Sequence, residues 1–422
     1  MSASVAADVR AWLAANWDPS LSLSAWRSLL VDSGWACPTW PVEWFGRGLP
    51  ASAADVVSAE LRAVGAVGPP SGSGLGLAAP TILEHGSSSL KSLLLRPIVT
   101  GEHTWCQLFS EPGSGSDLAG LTTRAELDGD EWVVSGQKVW TTSAHHAAYG
   151  MLLARTDWSV PKHRGITYFA LPMAQDGVEV RPLRQMNGHA SFNEVFLTEA
   201  RVPASHVVGS AGSGWAVALT TLAHERRLNL SLRGSRSAGD GVDDSGRVAR
   251  EAALETAAQY EPYRWYPQRA GRADLVVSRA RSLGAVSGVA AGPVVRDGVA
   301  GLVALSRAAE WTAARAAAAR ALGRPPGAEG SLGKLSASEI ARSSARLHSS
   351  LAGPWGMLSG ADDGTGGVVA EVLVSVPAVS IAGGTDEIQH NILGERLLGL
   401  PREPSVDHDV PFHDVMRNRS AR

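Results

Sequence analysis

The spacing of apolar residues changes twice along this chain, and that order restricts the fold more than any other feature. Before Thr104 the apolar residues recur every three or four positions, as they do on one face of a helix. After Thr104 they alternate, as in strands, and after Gly214 the helical spacing returns. A helical, β, helical order excludes the alternating pattern of a doubly wound sheet. We therefore expect an α+β fold with its strands in the middle of the chain.

This pattern predicts individual elements and domains. Helices are predicted over residues 5–17, 21–31, 53–67, 88–99, 215–230, 248–260, 294–322 and 332–351. A last helix is predicted after Gly383-Gly384-Thr385, with Thr385 or Asp386 as its cap and Glu387 in its first turn. Strands are predicted over residues 123–127, 132–140, 151–154, 166–171 and 194–197. The Asp128-Gly129-Asp130 turn between the first two strands predicts a hairpin. The expected domains are an N-terminal helical domain (1–103), a central β-barrel-like domain (104–208), a C-terminal helical bundle (209–403) and a tail (404–422).

Composition excludes several classes of partner. The formal net charge is −3, from 38 basic and 41 acidic residues without a block of like charge, so nucleic acid and a membrane surface are not expected partners. No run of eighteen apolar residues occurs, and the first residues lack the basic start and apolar core of a signal peptide, so a cytoplasmic location is expected. The two cysteines, Cys37 and Cys106, lack metal-site spacing, and we expect no metal.

Two short segments carry the residues that are hardest to assign to ordinary structure. Ser110-Glu-Pro-Gly-Ser-Gly-Ser-Asp117 is rich in small and hydroxyl residues, which suits a loop whose backbone amides and hydroxyls face a polar ligand. Trp140-Thr141-Thr142 ends a predicted strand with an aromatic ring and two hydroxyls, the groups that a flat heteroaromatic ligand needs. A surface turn and a core tryptophan explain the same residues equally well at this point.

From about residue 75 to residue 403 the chain resembles the acyl-CoA dehydrogenases. The resemblance is carried by Ser110-Glu-Pro-Gly-Ser-Gly-Ser-Asp117, by Ser135-Gly-Gln-Lys-Val-Trp-Thr-Thr142 and by Ile381-Ala-Gly-Gly-Thr-Asp-Glu-Ile-Gln389, in the family's order. It is strongest to actinobacterial members that act on bulky or long acyl-CoA esters, often as heteromeric pairs. The resemblance implies the family's fold, with a helical domain, a β-barrel-like domain and a helical bundle. It also implies FAD-dependent conversion of an acyl-CoA thioester to the 2-enoyl-CoA.

The same resemblance implies a set of cofactor residues and partners. The implied FAD contacts are Leu108, Phe109, Ser110, Ser116, Trp140, Thr141, Thr142, Gly384, Thr385 and Glu387. Ser116 is also implied to contact the acyl-CoA. A helix N-terminus after the two glycines would favour the cofactor's phosphate or ribitol oxygens. The implied partners are an electron-transfer flavoprotein, which reoxidises the flavin, and further subunits of a dimer or tetramer.

The implied catalytic base departs from the commonest arrangement in the family. Many members place a Glu directly before the Gly-Thr of the C-terminal motif, and this chain has Gly383 there. Another branch places the Glu on the first helix after the β domain, where this chain has Glu225. We therefore expect Glu225 to be the base and Arg226 to lie in the substrate pocket. A solvated Glu-Arg pair on a helix face is the simpler alternative.

A second departure leaves the function open between three alternatives. The family's Arg-x-x-Phe-Gly…Gln stretch, which reaches a neighbouring subunit's FAD, is replaced here by residues 263–271, where Arg264 and Gln268 are the candidate substitutes. The alternatives to a dehydrogenase are a non-catalytic partner subunit of a heteromeric enzyme and a flavin monooxygenase or oxidase on the same fold. The sequence does not distinguish fatty, steroid and other bulky acyl groups, homomeric from heteromeric assembly, or the pathway.

Overall fold

The computed structural model describes residues 2–234, 246–287, 292–322, 327–358, 367–402, 404 and 407–415, and for residues 2, 226–234, 283–287 and 320–321 only the backbone. The chain forms two compact units. Unit 1 comprises residues 1–183, 190–262 and 405–422, and unit 2 comprises residues 184–189 and 263–404. These units divide the chain differently from the predicted domains, whose boundaries stay predictions.

Seven α-helices lie in the described residues of unit 1. They are α1 (Ser2–Asn16), α2 (Leu23–Asp32), α3 (Ser52–Ala63), α4 (Ala79–His85), α5 (Ser88–Thr100), α6 (Gly214–Gly234) and α7 (Arg247–Tyr260). All but α4 were predicted from apolar spacing. Capping fixes the ends of α5, because the Ser87 hydroxyl accepts a hydrogen bond from the Leu90 amide and Gly101 ends the helix in the left-handed region. The short α4 escaped prediction because it offers less than two turns of periodic pattern.

A mixed sheet of seven strands completes unit 1. Its strands are β1 (Trp105–Leu108), β2 (Arg124–Asp128), β3 (Glu131–Thr142), β4 (Tyr149–Arg155), β5 (Ile166–Pro172), β6 (Val178–Leu183) and β7 (Phe192–Pro203). The strand order is β1-β4-β2-β3-β7-β6, with β5 paired to β4, and the sheet is a curled half-barrel. The β2–β3 hairpin is confirmed, with Asp128 opposite Glu131 and Gly129 at φ 65°. The β1 and β6 strands were not predicted, and Pro182 is tolerated in β6 because this strand lies at the end of the strand order.

The sheet separates two hydrophobic cores of unit 1. Cys106 and Leu108 point into one core, together with Leu152, Phe169 and Val195 from neighbouring strands. The other core is shared with helices, and it contains Leu77, Ile82, Leu94, Trp105, Phe109, Leu153, Tyr168 and Val217. Successive side chains of a strand point to opposite faces, so β1 contributes to both cores. A third core lies among the first helices around Trp26 and Leu30, both fully buried.

Unit 2 is helical in the part of the chain that the structure describes. It contains α8 (Tyr266–Arg269), α9 (Ala273–Ser287), α10 (Pro293–Ala321), α11 (Glu329–Ala352), α12 (Val368–Ser375), α13 (Pro377–Ile381) and α14 (Asp386–Arg396). The predicted α10, α11 and α14 are confirmed, and the other four were not predicted. With the helical, β, helical order observed, the predicted α+β class and family fold are confirmed.

One described stretch, Val368–Arg396, is long and apolar enough to cross a membrane by length and composition alone. The structure divides that stretch into α12, α13 and α14, and it buries the charged Asp386 within it. It is therefore weak evidence for a membrane span. The expected absence of membrane contact and the cytoplasmic location both stay predictions.

Candidate functional site

The loop of residues 110–121 in unit 1, here called the 110–121 loop, is folded around a tight turn. Glu111 and Ser114 exchange both backbone hydrogen bonds, each 3.0 Å long, so that Pro112 and Gly113 lie at the tip. A side chain added at Gly113 or Gly115 would meet nothing within 4 Å. Internal packing therefore does not require these glycines, whereas close approach of a ligand to the backbone would. Ser116, at the outer side of the loop, is exposed.

A buried ion pair fastens this loop to β3. Lys138 is fully buried, and its Nζ donates to Glu111 Oε1 at 2.9 Å and to the Phe109 carbonyl at 3.1 Å. Glu111 also accepts from the backbone amides of Thr122 (2.7 Å) and Thr123 (2.9 Å). Burial alone would raise the pKa of Glu111, but the Lys138 charge and the hydrogen bonds lower that pKa to about 2. The loop therefore holds a charged carboxylate directly beside Ser110.

The strand next to the loop is distorted at Trp140. The β3–β7 register shifts between Lys138 and Thr141, and Trp140 lies in this irregularity at φ 61° with 58% of its side chain exposed. A bulky residue in the left-handed region is a rare and strained conformation, and such strain clusters at functional sites. The Val139 amide donates to the Ser110 carbonyl at 2.9 Å, which joins the strand to the 110–121 loop. The two motifs identified in the sequence are thus neighbours.

Accessibility differs among the other predicted cofactor residues of unit 1. Leu108 and Phe109 are buried in opposite cores, and Phe109 packs edge-on against Tyr168, so their side chains do not face a ligand. Thr142 is half-buried opposite Phe192. The Thr141 side chain is 1% exposed, and its hydroxyl has no hydrogen-bond partner among the described residues. A buried hydroxyl without a protein partner suggests a ligand or water beside it.

The predicted base faces the sheet. Glu225 is half-buried on α6, and its Oε2 accepts a hydrogen bond of 3.3 Å from Nε2 of Gln107 on β1. One turn earlier, the Thr221 hydroxyl lies 3.0 Å from that of Thr81 and 3.2 Å from that of Tyr168. Glu225 is thus half-buried and in contact with β1, which differs from the solvated side chain that the simpler alternative requires. The Arg226 side chain lies outside the described residues.

The glycine turn before α14 belongs to unit 2. Gly383 and Gly384 have φ of 72° and 84°, and Gln389 Nε2 donates to the Gly383 carbonyl at 3.2 Å. Thr385 caps the helix as predicted, because its hydroxyl accepts from the Ile388 amide at 3.3 Å. Glu387, the predicted cofactor residue of the first turn, is exposed.

Asp386, which the sequence offered only as an alternative cap, is the buried anchor of this turn. Its carboxylate accepts from Lys334 Nζ at 2.6 Å, from the Ser338 hydroxyl at 2.8 Å and from Arg342 Nη1 at 2.7 Å. Burial opposes its charge, but these partners hold the pKa of Asp386 well below its usual range. The three donors come from α11, so no local signal in the sequence could identify them.

The altered stretch of residues 263–271 has its own partners within unit 2. Gln268 Nε2 donates to Glu371 Oε2 at 3.1 Å, and the Gln268 Oε1 is buried without a hydrogen-bond partner among the described residues. Arg264 is exposed. Of the two candidate substitutes, only Arg264 is therefore accessible to another molecule in the described chain.

Neither a metal cluster nor the groove between α10 and α11 adds to this site in the part of the chain that the structure describes. No group of three or more His, Cys, Asp or Glu residues there could hold a metal ion. A groove of about 300 Å³ lies between α10 and α11, around Val294 and Leu347, and contains none of the motif residues. The site is therefore defined by the two motifs and Glu225, and not by a cavity.

Three family models match successive parts of the chain. They are the N-terminal domain of acyl-CoA dehydrogenases over residues 1–102, the middle domain over residues 106–200 and the C-terminal domain over residues 269–398. The 110–121 loop and the Trp140 distortion fall in the middle-domain match. The glycine turn falls in the C-terminal match.

Two of the curated relatives come from Mycobacterium tuberculosis. The acyl-CoA dehydrogenase IpdE1 is 34% identical over 90% of this chain and 88% of its own length. The acyl-CoA dehydrogenase FadE34 is 36% identical over 88% of this chain, but the chain spans only 46% of FadE34. Among solved structures, one described as the Tcur3481-Tcur3483 steroid ACAD has 25% sequence identity and a TM-score of 0.64, covering 95% of this chain and 98% of that one.

Proposed function

The chain belongs to the acyl-CoA dehydrogenase family of oxidoreductases, and we propose that it catalyses the FAD-dependent α,β-dehydrogenation of an acyl-CoA thioester. The observation that carries the proposal is the Trp140 distortion, fastened to the 110–121 loop by the Glu111–Lys138 pair. This arrangement exposes an indole ring beside a loop that is uncovered at Gly113 and Gly115. A planar cofactor with a phosphate chain needs both kinds of surface.

The residues of each unit fit the proposed cofactor. In unit 1, the exposed Trp140 ring and the Thr141 hydroxyl without a protein partner suit the ring system. We assign Ser110, Ser116 and Thr142 to it as hydrogen-bonding groups, and Leu108 and Phe109 through their backbones only. In unit 2, we assign Gly384, Thr385 and Glu387, where free amides of a helix N-terminus attract phosphate or ribitol oxygens. When bound, FAD would supply the acceptor for the hydride that leaves the β-carbon.

Glu225 is the residue that we propose removes the α-proton. A half-buried carboxylate on α6 suits this task, because it can accept a proton from a C–H group in a site where little water competes for it. The Gln107 amide donates to one carboxylate oxygen, which fixes the orientation of the group and leaves its other oxygen to accept the proton. The proton would pass from the substrate α-carbon to the Glu225 carboxylate. Arg226 is proposed to line the same substrate pocket.

The substrate and partners follow from the relatives and stand as proposals. A structural neighbour is described as a steroid ACAD under two protein names, which supports a bulky, steroid-like acyl group and a two-chain assembly. We propose that an electron-transfer flavoprotein accepts the electrons and that the chain works as a dimer or tetramer.

A second candidate function is a partner subunit that completes another chain's site. The engagement of Gln268 by Glu371 favours it, because the family's stretch at this position reaches out to a neighbouring FAD. If this stretch does not contact a neighbouring subunit's FAD, an oligomer of this chain alone would have incomplete cofactor sites. The exposed Arg264 is then the only one of the two substitutes that could still contact a neighbour.

The visible absorption spectrum separates these two functions. The protein is purified alone and after co-expression with an acyl-CoA dehydrogenase encoded beside it. A complete enzyme carries one flavin per chain when purified alone, and this is the result that we expect. A protein that is colourless alone and yellow only with its partner would support the subunit role. A protein that stays colourless in both preparations would contradict FAD binding altogether.

A further inference from the structure

Residues 407–415, here called the C-terminal strap, pack against unit 1 beside the 110–121 loop. The strap joins the stretch between β4 and β5 through a pairing of Pro411 with Pro161. The Phe412 amide donates to the Val160 carbonyl at 2.9 Å, and the His413 amide donates to the Trp158 carbonyl at 3.0 Å. These contacts give the strap a defined position on the sheet domain.

Phe412 anchors the strap through a buried cation. Its side chain is 2% exposed, and its ring centre lies 3.4 Å from the guanidinium carbon of Arg155, which is fully buried. The Arg155 guanidinium donates to the carbonyls of Ala119 (2.7 Å) and Leu121 (3.2 Å). A buried cation between an aromatic face and carbonyl groups is strongly oriented by both. Phe412 of the strap therefore orients Arg155, and Arg155 in turn binds the second half of the 110–121 loop.

Lys162 makes a second link between the strap and the loop. Its Nζ donates to Asp407 of the strap at 2.8 Å and to Asp117 of the loop at 3.1 Å. Asp407 is 24% exposed, whereas Asp117 is 63% exposed, so water screens the Asp407 contact less and it is the stronger of the two. Asp117 directly follows Ser116, the residue assigned to the cofactor or the acyl-CoA.

We propose that the C-terminal strap positions the 110–121 loop for ligand binding, through Phe412 on Arg155 and Asp407 on Lys162. The identity of the ligand rests on the proposed function, but the restraint on the loop does not. Without the strap, Arg155 would lose the nearer of its two aromatic partners, since its guanidinium carbon lies 3.4 Å from the Phe412 ring centre and 5.6 Å from that of Trp158. Lys162 would lose the less exposed of its two carboxylate partners. The loop would then sample other positions around Ser116, and ligand binding would carry the cost of ordering it.

The restraint is tested by hydrogen exchange on the full chain without ligand. The Gly120 and Leu121 amides donate to the Asp117 and Leu118 carbonyls within the loop, so their exchange reports on loop opening. Phe412→Ala should speed their exchange about tenfold and Asp407→Asn by a smaller factor, with β7 amides unchanged. Asp409→Asn is the matched control, because Asp409 is 88% exposed and contacts only His408 next to it among the described residues. Wild-type exchange of the loop in both test variants, or an equal rise in β7, overturns the proposal.

The effect on ligand binding is measured as the Kd for FAD, with protein from which the flavin has been removed. Phe412→Ala and Asp407→Asn should raise the Kd for FAD about fivefold or more, while Asp409→Asn keeps the wild-type value. Phe412→Leu, which keeps the apolar contact and loses the ring, should lie between wild type and Phe412→Ala and guards against misfolding of the alanine variant. Faster loop exchange with an unchanged Kd would overturn the positioning role. If wild type itself does not bind FAD, the proposed function fails while the exchange result still decides the restraint.

Discussion

Residues 110–142 of unit 1 and residues 383–387 of unit 2 both place an accessible hydroxyl residue next to a buried carboxylate. In unit 1, Ser110 precedes Glu111, which is paired with a lysine that has no exposed surface. In unit 2, Thr385 precedes Asp386, whose partners Lys334 and Arg342 are 13% and 41% exposed. Each motif therefore combines a residue that can face a ligand with a neighbour that fixes the backbone. The two carboxylates, here called the anchors, differ in how deeply their cationic partners are buried. We expect this depth to decide how much each anchor contributes to the free energy of unfolding.

Loss of the deeper anchor should have the largest effect. Lys138→Met leaves Glu111 buried without its counter-ion, and breaking a buried pair in this way costs about 3–5 kcal/mol. Lys334→Met should cost about 1 kcal/mol, because Asp386 keeps Ser338 and Arg342. Urea unfolding of both variants measures the difference in free energy of unfolding. Equal losses would show that depth does not distinguish the two anchors.

Acid should weaken the deeper anchor over a defined range of pH. The pKa of Glu111 is lowered from 4.5 to about 2, so its stabilising contribution is complete above pH 4.5. The contribution is lost as the pH falls towards 2, and the shift corresponds to about 3 kcal/mol. The free-energy difference between wild type and Glu111→Gln should therefore shrink between pH 4.5 and pH 2. A difference that stays constant over this range would contradict the assignment.

The cap of the shallower motif should contribute less than either anchor. Thr385→Ala removes the acceptor for the Ile388 amide and should lower the free energy of unfolding by about 1 kcal/mol. Thr385→Ser keeps the hydroxyl and serves as the matched control, with a stability near that of wild type. If Thr385→Ser lowers the free energy of unfolding as much as Thr385→Ala, the hydroxyl cap does not stabilise this turn.

Trp140 should contribute least to stability and most to binding. Its side chain is 58% exposed and packs edge-on against Phe192, so Trp140→Ala should change the free energy of unfolding by less than about 1 kcal/mol. The same variant should lose at least tenfold in affinity for FAD, because an aromatic surface beside the ring disappears. Thermal unfolding and FAD titration are measured on the same preparation. A stability loss with unchanged affinity would make Trp140 a structural residue.

The sequence predicted the fold well where its signals are local. Apolar spacing over two or more turns predicted the long helices, and the Asp128-Gly129-Asp130 turn predicted the hairpin. The short helices α4, α8, α12 and α13 were missed, because one or two turns carry little periodic signal. The 15-residue α9 is the exception among the long helices, because it was missed as well. The strand β6 was missed because Pro182 and its half-exposed pattern obscure the alternation.

The site was predicted only in the residues that carry the family motifs. Ser110, Trp140 and Thr385 were named from those motifs, and the structure shows the first two in neighbouring segments. The partners that fix them come from distant parts of the chain, such as Lys334 for Asp386 and Lys138 for Glu111. The Gln107–Glu225 contact spans 118 positions, and Phe412 reaches Arg155 from the end of the chain. Such pairs arise from tertiary packing, which spacing along a sequence does not encode.

Anaerobic reduction by substrate tests the central claim most directly. Wild-type protein carrying FAD, in its complete assembly, is mixed without oxygen with a panel of straight-chain, branched and steroid-like acyl-CoA esters, and the visible flavin band is followed. We predict rapid bleaching by at least one ester in wild type and in Glu126→Gln, an exposed control. Bleaching should be lost in Glu225→Gln, although FAD stays bound. Full retention in Glu225→Gln would contradict the assigned base, and no bleaching of wild type by any ester would contradict the dehydrogenase itself.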